Sequence, residues 1–171
     1  MRGSGLMGFP DPVNDKAART VAAGVVVLSL SFAVSGVGWL LVPLAFGFWA
    51  RLLTGPRLSP LGRFATEVAA PRLGAAKLVP GPPKRFAQGI GVLFSTTALV
   101  LWFAAGAQVA ARVVVGLLAG AASLEAAAGI CLGCIAFGWL MRAGIISPDA
   151  CPECADLSLR HPGLRAAQPP S

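Results

Sequence analysis

From Thr20 to Ala50 the chain runs 31 residues without a charged side chain. As one α-helix this stretch would reach roughly 46 Å, against a bilayer hydrocarbon core of about 30 Å. The segment Ser35-Gly36-Val37-Gly38 offers a break. Two helices of roughly 15 to 18 residues then form a hairpin, short but workable if Arg19 and Arg51 snorkel toward the headgroups.

The second half repeats the plan. Lys84 and Arg85 precede an apolar run from Phe86 to Ala105, a small-residue turn follows at Gly106 to Ala110, and a second run from Val113 to Met141 is closed by Arg142. The pattern predicts an all-α polytopic membrane protein of four transmembrane helices arranged as two hairpins, with Val113 to Met141 as one unbroken fourth span. Residues 1–19 form an N-terminal segment, 20–142 the helical domain with a basic loop at about 54–85, and 143–171 a tail. The residue-level match between the two halves is too thin to assert a repeat. Within the loop, Ser59 can cap a short helix with Pro60 at its first position. Leu61, Phe64, Ala65 and Val68 then share a face away from Arg63 and Glu67, as expected of a helix on a membrane surface. Gly116 and Gly120, then Gly129 and Gly133, are four apart and suit close helix approach, which also leaves room for a homo-oligomer.

Composition supports this class. With 56% hydrophobic and 12% charged residues, there is too little polar surface to coat a soluble globule. The net charge of +7 would fit nucleic acid in a soluble protein, but its placement gives another cause. The hairpin plan puts thirteen of the fourteen Lys and Arg residues on one side and only Arg112 on the other. That bias predicts a cell (inner) membrane protein with both termini and the central loop cytoplasmic, attraction to anionic lipid, and no nucleic-acid partner. Residues 1–15 lack the apolar centre of a secretory signal, so this segment is expected to be retained.

All four cysteines lie in two Cys-x-x-Cys pairs, Cys131/Cys134 and Cys151/Cys154, separated by 16 residues. Cys131 and Cys134 share one helix face inside the apolar run and could close a disulfide with local adjustment. Cys151 and Cys154 flank Pro152 and Glu153, a spacing shared by redox loops and zinc knuckles. The eight residues from Ala143 to Ala150 reach about 26 Å if extended, so the tail can fold back on the first pair. A four-thiolate zinc cage is costly in an apolar setting, whereas neutral thiols or a disulfide are tolerable there. The reducing cytoplasm disfavours permanent structural disulfides. The expectation is thiol exchange between the pairs with no separate cofactor; the alternatives are zinc on the four cysteines, or simple packing.

Glu125 is the one acidic residue in the predicted spans, with 12 uncharged residues before it and 16 after. That places it near mid-membrane, where a lone carboxyl is expected to stay neutral at pH 7, with Ser95, Thr96 and Thr97 as hydrogen-bond partners and a proton-handling role. His161 stands alone in the tail and is read as solvated. No phosphate-binding loop, HExxH or nucleophile elbow occurs.

Local signatures carry a resemblance: Asn14 to Arg19, "GPRLSPLGR" at 55–63, "PRLG" at 71–74, "RFAQ" at 85–88, and Glu125 leading to "GICLGC" at 129–134. In order and spacing they resemble a bacterial membrane family, common in actinobacteria, known as domain of unknown function 4395, over most of residues 10–142. The resemblance implies a small four-helix membrane protein without an established activity. Some of its members resemble fusions or neighbours of thioredoxin-like and sulfurtransferase proteins, which implies a soluble thiol protein as partner. Three functions follow as expectations: a membrane component of thiol-disulfide or sulfane-sulfur handling built on Cys131, Cys134, Cys151, Cys154 and Glu125, a scaffold with a zinc-binding tail, or a small transporter subunit using Glu125.

Overall fold

A computed structural model describes residues 11–155; Arg2, Arg160, His161 and Arg165 lie outside the described residues. The described residues are mostly helical, at 77%. Asn14 accepts a hydrogen bond from the Lys16 amide at 3.0 Å and starts α1 (Asp15–Ser35), with Asp15 in the first turn where the helix dipole favours an anion. The helix ends at Gly36 inside the break expected from the sequence, and a 3-10 turn (Gly38–Leu40) leads into α2 (Leu41–Thr54). After a short linker, Ser59 caps α3 (Pro60–Arg63) by accepting from the Gly62 amide, as the Ser-Pro signature predicts. A π-helical turn (Phe64–Ala69) and α4 (Ala70–Arg72) complete the loop structure. Then come α5 (Gly81–Phe103), α6 (Gln108–Ala128), α7 (Leu132–Arg142), a 3-10 turn (Pro148–Ala150) and α8 (Pro152–Ala155).

α1 packs beside α6, α2 beside α5, and α5 beside both α6 and α7. The core holds Phe32, Leu41, Leu44, Phe48, Val92, Val115 and Leu118, and Phe32 meets Trp102 edge-on at 5.0 Å. Below it, Ala17, Val21, Ala65 and Ala70 seat the loop helices on the start of α1, with Leu61 against them. The opposite faces expose Val27, Leu30, Leu93 and Leu117. A bundle with an apolar exterior suits lipid, and α1, α5 and α6 are long and apolar enough to cross a membrane.

Two features depart from the sequence pattern. Residues Val13–Asn14 (β1) and Leu78–Val79 (β2) form a two-residue antiparallel ladder, Val13 opposite Val79 and Asn14 opposite Leu78. The predicted single fourth span is broken. Gly129, at φ 71°, takes the left-handed cap of α6 and donates to the Glu125 carbonyl; a new helix begins at Leu132. Hydropathy runs on through this point, but only glycine accepts that backbone readily. Gly133 is the one close helix approach in the glycine pattern: a Cβ there would lie 2.7 Å from the Ala87 Cα, whereas Gly116 and Gly120 face nothing within 4 Å.

Candidate functional site

The β1–β2 ladder holds the start of α1 beside the start of α5, and the Asp15 amide donates to the Lys77 carbonyl at 2.8 Å. The α5–α6 hairpin brings the end of α6 back to the same level. Lys84, in the first turn of α5, therefore lies between two carboxylates: its Nζ is 2.7 Å from Glu125 Oε1 and 3.3 Å from Asp15 Oδ1. The Lys84 side chain is only 8% exposed. Removing three charges from water is costly, and here each carboxylate shares the one cation that offsets it.

This arrangement corrects the expectation for Glu125. It sits in the last turn of α6, not at mid-span, and it is paired with Lys84, not isolated. Ser95, Thr96 and Thr97 are not its partners. They lie about 16 Å farther along α5 than Lys84. Ser95 donates to the Gly91 carbonyl, and Thr96 accepts from the Trp49 indole. Arg19 and Arg51 do not act as free snorkels either. Arg19 donates to the Ala126 and Ala127 carbonyls and so caps the C-terminus of α6 with a cation. Arg51 is buried at 5% exposure, with Nε donating to Gln88 Oε1 at 3.0 Å and Nη1 to Ser59 Oγ at 3.3 Å.

The α6–α7 break delivers the first cysteine pair to this cluster. Cys131 caps α7, its Sγ accepting from the Cys134 amide at 3.3 Å, while the Cys134 thiol points at the same sulfur with Sγ–Sγ 2.7 Å. Both thiols are free. Cys131 lies in the link between helices, outside the long apolar segments. The hydrogen bond from the Cys134 thiol holds the Cys131 thiol below the ordinary thiol value. Burial and Glu125 oppose this, and Lys84 reinforces it. The same hydrogen bond raises the Cys134 thiol. A Cys-x-x-Cys at a helix N-terminus beside a cation is an arrangement in which the first sulfur is the nucleophile.

The tail does fold back. Cys151 and Cys154 are joined as a disulfide, and Cys151 is 2% exposed. The tail pair is thus closed while the first pair is open. Cys131, Cys134 and Cys154 line one cavity of about 460 Å³ together with Asp15 and Lys84. A second cavity, about 430 Å³, runs from Cys131 and Glu125 up an apolar channel past Phe48 and Phe94. A third, about 250 Å³, opens on the other side of Lys84 and contains Arg51 and Gln88. Among the described residues, no group of three or more His, Cys, Asp or Glu side chains is placed to hold a metal ion.

All five sequence-predicted site residues, Glu125 and the four cysteines, thus meet at one end of the bundle. Lys84, Asp15, Arg51 and Gln88 were not anticipated as site residues. Lys84 was read only as a flanking charge, and its partner Glu125 is 41 residues away. The available signal was the lone carboxylate itself, since a buried one requires a cation from another helix.

The model of the family described as domain of unknown function 4395 matches residues 13–142. That is about three quarters of the chain, and the chain belongs to this family. No curated protein and no solved structure matches it.

Proposed function

We propose that the chain is a four-span membrane protein of the cell membrane, with both termini and the central loop cytoplasmic, and that it moves reducing equivalents between its two cysteine pairs. The spans in this reading are α1, α2, α5 and α6, with α7 lying at the inner boundary. The thirteen-to-one charge bias supports the orientation. Reporter fusions at residues 75 and 108 test it; they are expected inside and outside respectively.

One observation carries the chemistry: a free dithiol and a disulfide face the same cavity, with Cys154 on the wall it shares with Cys131 and Cys134. The Cys131 thiolate attacks Cys154 Sγ, a mixed disulfide forms, and the Cys151 sulfur leaves and takes up a proton. Cys134 loses its proton and attacks Cys131, releasing Cys154 as the thiol. Two electrons and two protons have then moved from the first pair to the tail, and the reverse sequence moves them back. Lys84 steadies the Cys131 thiolate against the opposing charge of Glu125, and the carboxylates bound to Lys84 are the proton acceptors beside the pair. A soluble thioredoxin-like or sulfurtransferase protein exchanging with the tail is the proposed partner.

Cys134→Ser is expected to accumulate the Cys131–tail mixed disulfide in native membranes, seen as a cross-linked peptide that added dithiol releases. Four free thiols under every redox condition would remove this reading. Stoichiometric zinc lost on replacing any one of the four cysteines would replace it with a metal-bearing scaffold.

A further inference from the structure

Among the described residues, the Arg51 guanidinium is a buried charge that no salt bridge reaches, and the Glu125 carboxylate acts on it only at longer range. The salt bridges among the described residues join Arg63 to Glu67 and Lys84 to Asp15 and Glu125; none reaches Arg51. Its hydrogen-bond partners, Gln88 and Ser59, are neutral, and the Phe48 ring lies 4.7 Å from the guanidinium carbon. Its Nη2 is buried without a hydrogen-bond partner. A guanidinium carries five N–H donors, of which two are used here, so three remain for an oxyanion. A buried cation is stabilised by an anion brought into direct contact with it.

Arg51 lines the cavity of about 250 Å³ beneath the central loop. Lys84 and Gln88 share its polar wall, Ala17 and Val21 form an apolar wall, and the largely exposed Leu78 stands at its rim. The space equals roughly eight water molecules at about 30 Å³ each, too small for a dinucleotide. Lys16, Arg57, Arg63, Arg72 and Lys77 belong to the same basic loop and chain start, and a field of that sign concentrates anions.

We infer that this cavity is a binding site for a phosphate group carried on a small apolar or glycerol-like body, with the phosphate oxygens on the Arg51 guanidinium and the body against Ala17 and Val21. The phosphate belongs either to a soluble phosphate ester or to an anionic lipid headgroup entering from the bilayer. The site is separate from the cysteine cavity and does not depend on thiol exchange.

The test is thermal unfolding of the full chain in uncharged detergent, titrated with inorganic phosphate against chloride at matched ionic strength. A saturable phosphate-specific rise in Tm is expected for the wild type. Arg51→Gln is expected to weaken the apparent Kd at least about tenfold, the loss of one charge-assisted contact. If Arg51→Gln does not fold, Leu78→Trp decides: the rim substitution keeps the guanidinium and is expected to diminish the phosphate response by narrowing access. A wild-type response no larger than that to chloride overturns the proposal, as does a phosphate response unchanged in both variants. Repeating the titration in nanodiscs of phosphatidylcholine, with or without phosphatidylglycerol, separates the sources. Phosphatidylglycerol that raises Tm and suppresses the phosphate response identifies a lipid headgroup, and an undiminished response identifies a soluble phosphate compound.

Discussion

The two ends of the bundle are built on different principles. At one end, near Gly36 and Gly106, aromatic rings do the closing: Phe32 against Trp102 at 5.0 Å, Trp39 against Phe103 at 5.4 Å, and Arg112 above Trp102 at 5.9 Å. At the other end Asp15, Lys84, Glu125, Arg51 and both cysteine pairs converge, and three cavities meet around Lys84 or its immediate neighbours. Ring packing tolerates change gradually, because it is a sum of small contacts. Buried ion pairs do not, because removing one partner strands the other. The proposed chemistry sits where the fold is least tolerant.

The harshest way to break this contrast is Lys84→Met, which leaves Asp15 and Glu125, at 12% and 19% side-chain exposure, without their cation. A loss of about 3–5 kcal/mol is expected, read as a large fall in Tm in detergent together with slower alkylation of Cys131. A change under about 1 kcal/mol would mean that the carboxylates are not dependent on Lys84. A smaller effect comes from Gly133→Ala, whose Cβ would press on Ala87 and shift α7 against α5. The expected cost is about 1–3 kcal/mol. Gly116→Ala, facing open space, is the control expected to unfold like wild type. If both alanines behave alike, the α5–α7 contact is not close.

The mildest case lies at the aromatic end. Arg112→Gln removes a cation over Trp102, and a loss of about 0.5–1 kcal/mol is expected with Cys131 alkylation unchanged. A shift in alkylation rate would show that the two ends are coupled through the bundle, contrary to their separate construction.

What the sequence made legible follows the range of each interaction. The break after Ser35, the turn near Gly106 and the Ser59 cap are local signals, and each lies within the few residues that define it. The break at Gly129 is also local, but it is hidden in an unbroken apolar run, since hydropathy does not register a backbone angle. The cysteine spacing and the length of the tail allowed the two pairs to meet, and the geometry brings them to one cavity. In the sequence Lys84 and Arg51 stand only as charges flanking a span, and Asp15 carries no signal at all, because their partners come from other helices. A single-helix view assigns a lone Glu125 to the lipid interior for the same reason.

The three residues of the buried charge cluster are also spaced along the order of synthesis. Asp15 leaves the ribosome first, Lys84 follows after the central loop, and Glu125 comes only when α6 is nearly complete. Until then Lys84 has one of its two countercharges, and the carbonyls that Arg19 will cap do not yet exist. Chains arrested before residue 125 therefore carry an unfinished polar seam across their first three long helices. Glu125 is therefore the charge that completes the cluster in the order of synthesis, and the packing of the α6 end on α1 and α5 waits for it.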